Sequence, residues 1–154
     1  MRRLYEHMLV GLIFMLTFAS CKDSYYIENE MHGMWQVTSV ENLSTGDVVE
    51  VKGSLYYSFQ RTVVMLSDVD LDLPNNLKRY IAHFDLVDSD SIGMGDFRNR
   101  TTGEGNFVQQ EKKIPLELLH KFGIYQDYTM FHMEQSKREL ILTSDSACIV
   151  LRKY

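Results

Sequence analysis

From Gly33 to the end of the chain, apolar and polar positions alternate in short runs separated by turn residues. In the first run, Trp35, Val37 and Ser39 fall on one side of an extended segment, with Gln36 and Thr38 on the other. Ser44-Thr45-Gly46-Asp47 supplies a turn, and Val48 to Val51 can pair back. Leu55, Tyr57 and Phe59 then share one face of the next strand. The pattern continues through Thr62 to Leu66, Lys78 to Val87, Ser91 to Asn99 and a weaker stretch at Gly105 to Gln110. After an interruption it resumes at Tyr128 to Gln135, Glu139 to Thr143 and Ala147 to Lys153, where Phe131, Met133, Leu140 and Leu142 fit one buried face. The interruption predicts one short helix near 115–122. Pro115 suits a first helical position, Leu116, Leu119 and Phe122 form an apolar stripe, and Gly123 suits the end. Consecutive antiparallel strands joined by short turns predict an all-β, up-and-down barrel of about eight strands, because closure removes the exposed edges.

The N-terminal pattern is different. Arg2 and Arg3 precede an apolar segment, Met8 to Phe18, which stops at Ala19-Ser20-Cys21. A basic start, an apolar core of about ten residues and small residues before the cut mark an export signal. A membrane-spanning helix would need roughly twenty apolar residues. The stretch Thr17 to Cys21 resembles the lipobox of bacterial lipoproteins, with Phe18 where that motif usually has Leu. The resemblance implies a signal peptide at 1–20, acyl chains on Cys21, and a cell-envelope location at a membrane, expected to be the outer one. Residues 21–31 are mostly polar, with no sustained period, and read as a tether; the domain is then 32–154. Only Cys21 and Cys148 are present, so a disulfide framework is excluded. Cys148 reads as a small packing residue on the last strand.

Charge narrows the partners. Without the signal the chain has fourteen basic and twenty acidic residues, and its basic residues are scattered, which argues against nucleic acid. Alternating Asp68, Asp70 and Asp72 invite a calcium reading. Leu73 stands where the loop needs Gly, and Arg79 where it needs a bidentate Glu, so an amphipathic extended segment with its carboxylates in water is the better account. His32, His83, His120 and His132 show no zinc spacing. No nucleophile elbow, phosphate loop or paired catalytic carboxylates occur. No catalytic residue, metal or cofactor is therefore expected. Asp90-Ser91-Ile92 and Asp145-Ser146-Ala147 resemble the acceptor sequence for O-glycosylation of exported proteins in Bacteroides-type bacteria.

Gly33-Met34-Trp35 on the first strand resembles the Gly-x-Trp entry of lipocalins, and a basic residue near the end of the last strand, Arg152 or Lys153, resembles their closing feature. The layout is similar to small lipocalin-like lipoproteins of Bacteroides-type bacteria. The resemblance implies barrel closure by Gly33, Trp35 and a C-terminal cation, taken as Arg152. It also implies an interior lined by Tyr57, Phe59, Phe84, Phe97, Phe131 and Met133, available to a small apolar or amphipathic ligand. A barrel packed solid, with loops Ser67 to Leu77 and Asn99 to Glu111 meeting an envelope protein or a glycan, is the alternative.

Overall fold

The computed structural model describes residues 31–69, 77–100 and 111–154. Among the described residues, ten strands form a single antiparallel sheet: β1 (Gly33–Asn42), β2 (Asp47–Glu50), β3 (Leu55–Gln60), β4 (Val63–Val69), β5 (Leu77–Leu86), β6 (Ser91–Arg100), β7 (Glu111–Lys113), β8 (Tyr128–Gln135), β9 (Glu139–Thr143) and β10 (Ala147–Lys153). Neighbours run β10-β9-β8-β6-β5-β4-β3-β1, and β10 pairs back onto β1, closing an eight-stranded antiparallel barrel. The remaining two strands are halves of divided positions. β1 pairs with β3 along Gly33–Gln36 and with β2 along Ser39–Asn42. Likewise β6 pairs with β8 along Ser91–Gly95 and with β7 along Arg98–Arg100.

Alternation holds along most strands, with Leu55, Tyr57 and Phe59 buried on β3 and Leu140 and Leu142 on β9. On β1 it fails after Val37. The register with β10 shifts between Val37 and Ser39, so Val40 and not Ser39 follows Val37 into the core. A bulge of this kind places one extra residue on a strand and reverses the facing of everything beyond it. A second register shift lies between Ile81 and His83 opposite β6, where Asp96 takes the left-handed conformation at φ 52°.

The expected helix is instead two 3-10 turns, Leu116–Leu118 and His120–Phe122. The physical reason is in the apolar spacing. Leu116, Leu119 and Phe122 recur every three residues, which keeps them on one line at 3.0 residues per turn and would fan them around an α-helix. Leu119 and Phe122 are buried, and Leu116 packs against the core. Gly123 ends the segment at φ 78°, where a Cβ would lie 2.6 Å from Ile149 Cγ1 and 3.3 Å from Val40 Cγ1. The segment therefore sits against β1 and β10 and plugs that end of the barrel. The expected strand at Gly105 to Gln110, the leader, Cys21 and most of the tether lie outside the described residues. Met31, read as the end of the tether, is buried in the core.

Gly123→Ala is expected to lower unfolding free energy in urea by about 2–4 kcal/mol, combining left-handed strain with overpacking. A loss below about 0.5 kcal/mol would contradict this placement of the plug.

Candidate functional site

At one end of the barrel the closing residues form a single cluster. The Trp35 indole is fully buried, and its Nε1 donates to the Met31 carbonyl at 2.9 Å. Lys153 Nζ lies 4.6 Å from the centre of the indole and donates to the His32 carbonyl at 2.9 Å. Gly33, at φ 118°, turns the chain beneath this lysine. The cation is thus one residue beyond the expected Arg152. Arg152 faces outward, between Gln36 of β1 and Glu139 of β9. Strand parity explains the difference: Ala147, Ile149, Leu151 and Lys153 share the inward face of β10.

The six residues expected to line the interior are brought together. Tyr57, Phe59, Phe84, Phe97 and Phe131 are buried, and Met133 packs against them from a partly exposed position. An aromatic chain runs through the barrel. Phe84 meets Phe59 edge-on at 5.5 Å, Phe59 stacks on Tyr57 at 6.0 Å, and Phe122 of the plug meets both Tyr57 and Tyr80 edge-on at 6.1 Å. Such pairs each contribute about 0.5–1.5 kcal/mol beyond area burial. The Tyr57 hydroxyl donates to the Phe122 carbonyl at 2.6 Å, tying plug to wall, and burial lifts its pKa far above the usual phenol range. Thr129 Oγ1 is the one buried side-chain polar atom without a partner among the described residues.

Clefts of ligand size lie elsewhere. One, of about 410 Å³, opens beside the plug and is lined by Lys78 and Tyr80 of β5, Asn99 of β6, Lys112 and Lys113 of β7, then Ile114, Pro115 and Leu118. Its apolar wall is Tyr80, Ile114, Pro115 and Leu118, and its rim is basic. Tyr80 titrates above its usual range because it is buried, with Asp68 adding to the effect. Asp68 itself is not free in water as the alternating pattern implied; it is ion-paired with Lys121 of the plug. A second recess, of about 300 Å³, lies at the β5–β6 bulge among Ile81, His83, Gly95, Asp96 and Arg98. There the Arg98 side chain hydrogen-bonds Asp96 and holds its carboxyl below the usual range.

The sequence reading missed the cleft beside the plug. Basic residues scattered along the chain do not by themselves mark Lys78, Lys112 and Lys113 as neighbours. A signal was present, since Lys78 shares strand parity with Tyr80, and Lys112 with Ile114. No group of His, Cys, Asp and Glu suited to a metal occurs among the described residues. His83, His120 and His132 are exposed and His32 is half-buried. Ser91 and Ser146 both stand half-buried at turn-to-strand joints. Cys148 is half-buried and receives a weak hydrogen bond from Thr143 Oγ1 at 3.9 Å.

A closed eight-stranded meander whose Gly-x-Trp entry buries its Trp35 indole beneath a cation is the geometry implied by the resemblance noted above. The lipocalin-like domain model matches residues 14–154. The chain belongs to the lipocalin-like domain family. Its fold is shared by a lipocalin-like protein from Bacteroides uniformis, at 17% identity and TM-score 0.57, covering 82% of this chain and 100% of that one. An uncharacterized protein from Bacteroides eggerthii aligns at 19% identity and TM-score 0.58, covering 80% of this chain and 99% of the other. No curated protein matches the chain. A lipocalin-like barrel is a scaffold suited to binding small molecules, since a barrel of eight strands either fills with side chains or holds one small ligand.

Lys153→Met removes the cation over Trp35 and the hydrogen bond to His32. It is expected to cost about 1–3 kcal/mol of unfolding free energy in urea, whereas Arg152→Gln stays within about 0.5 kcal/mol. Equal effects would contradict the assignment of Lys153 to the closure.

Proposed function

We propose that this lipocalin-like protein is a lipid-anchored component of the cell envelope, at the outer membrane, which binds a small amphipathic molecule without catalysis. The molecule is held at the mouth of the barrel and not within it. The leader and Cys21 support the anchor, because several acyl chains on one cysteine suffice to hold a small domain on a bilayer. One observation carries the site. Tyr57, Phe59, Phe84 and Phe131 occupy the interior with at most 2% exposure each, while the 410 Å³ cleft beside the plug lies within the size range of small-molecule sites. That cleft pairs an apolar wall with a polar rim, which suits an amphipathic guest. Among the described residues that line it there is no carboxylate, histidine or cysteine, which supports a binding role.

The packed interior also favours a second reading, an envelope lipoprotein that meets another protein or a glycan through its surface. Native mass spectrometry of the protein extracted in mild detergent from its own cells separates the two. The expected species is the chain from Cys21 with acyl chains plus a small molecule that leaves on denaturation. A mass accounted for by the acylated chain alone would favour the interaction reading.

A further inference from the structure

The rim of the cleft beside the plug has a charge opposite to that of the molecule around it. The whole chain has sixteen basic and twenty-one acidic residues. Yet among the described residues that line this cleft, three of eight are lysines and none is acidic. The lysines arrive from separate elements: Lys78 from β5, and Lys112 and Lys113 from β7. Lys113 is paired with Asp127 at 3.0 Å, which leaves Lys78 and Lys112 as the rim cations toward the opening. Lys78 and Lys112 are exposed at the rim. Behind them the wall turns apolar within one strand repeat, through buried Tyr80 on β5 and buried Ile114 after β7. Leu118 on the first 3-10 turn is 44% exposed, a large apolar side chain left facing solvent beside an apolar wall.

From this arrangement we infer that the guest is an anionic amphiphile: a carboxylate or phosphate head held by Lys78 and Lys112, with an aliphatic tail laid against Tyr80, Ile114 and Leu118. The inference deepens the binding reading above and rests on it. Ammonium groups bind carboxylate and phosphate through charge-assisted hydrogen bonds, stronger than those to neutral heads. A neutral or cationic head would gain nothing from the two ammonium groups, and no described residue lining the cleft is a carboxylate to receive a cation. The tail gains from covering Leu118, because each methylene removed from water is favourable. Asn99 on β6, also on the wall, offers the head a neutral hydrogen-bonding partner.

The test uses the mature lipoprotein in phosphatidylcholine nanodiscs and a diazirine-bearing decanoate as photoprobe. The expected cross-links map to peptides carrying Tyr80, Ile114 and Leu118. Sodium decanoate and decyl phosphate suppress them, whereas decyl glucoside and decyltrimethylammonium do not. Lys78→Gln with Lys112→Gln lowers labelling by about fivefold to tenfold, and Leu118→Glu does so without touching a lysine. Lys137→Gln, in the turn between β8 and β9, leaves labelling unchanged. Repeating the experiment with phosphatidylglycerol in the nanodisc separates the two sources of an anionic head. Suppression there assigns it to a membrane lipid, and undiminished labelling assigns it to a free amphiphile. Labelling spread over other peptides, unaltered by the lysine variants, or suppressed equally by the neutral amphiphile would overturn the inference. If native extraction retains a small molecule while labelling ignores the lysines, binding stands and the head-group assignment falls. If extraction retains nothing and no amphiphile suppresses labelling, both fall.

Discussion

Pairing of β1 with β10 joins the two ends of the sheet, and the burial of every interior side chain depends on that seam. The seam runs from Trp35 opposite Lys153 to Asn42 opposite Ala147. Without it, β10 and β1 would each present a row of unpaired backbone groups, and Trp35, Val37, Ile149 and Leu151 would lose one wall of their enclosure. Closure also sets the interior volume. Eight strand positions leave room for side chains of ordinary size to fill the centre, and this chain supplies large ones: Trp35, Tyr57, Phe59, Phe84 and Phe131 are all fully or almost fully buried.

Each end of the barrel is then stoppered by a different device. At one end the Trp35 indole is gripped by the Met31 carbonyl and covered by Lys153. At the other, the 3-10 segment inserts Leu119 and Phe122 and is fastened through its Phe122 carbonyl to Tyr57. The insertion divides one barrel position into β7 and β8, and the division produces the cleft. β7 diverges toward the plug, so its lysines and Ile114 stand beside Lys78 and Tyr80 with an open space between them. Open volume thereby lies beside the plug, while large side chains fill the centre of the barrel.

Much of this was legible in residue order. Alternation located most of the strands, and Gly33-Met34-Trp35 marked the entry to the barrel. What escaped has definite physical causes. A single bulge after Val37 exchanged the facings of Ser39 and Val40, and no residue type there announces it. The three-residue spacing of Leu116, Leu119 and Phe122 fits a 3-10 segment better than the helix that Pro115 and Gly123 suggested. Counting parity along β10 from Ala147 would have selected Lys153 in place of Arg152. The cleft was hidden for another reason: Lys78 lies far along the chain from Lys112 and Leu118 and meets them only after the barrel has closed.

Amide hydrogen exchange on the intact protein tests that seam most directly. If the ring is closed, amides of β1 and β10 along the seam exchange only through global unfolding, with the same opening free energy as those of β5 in the middle of the sheet. Early exchange of β1 and β10 together, at the low opening free energy of free edges while β5 stays protected, would show an open sheet and contradict the account.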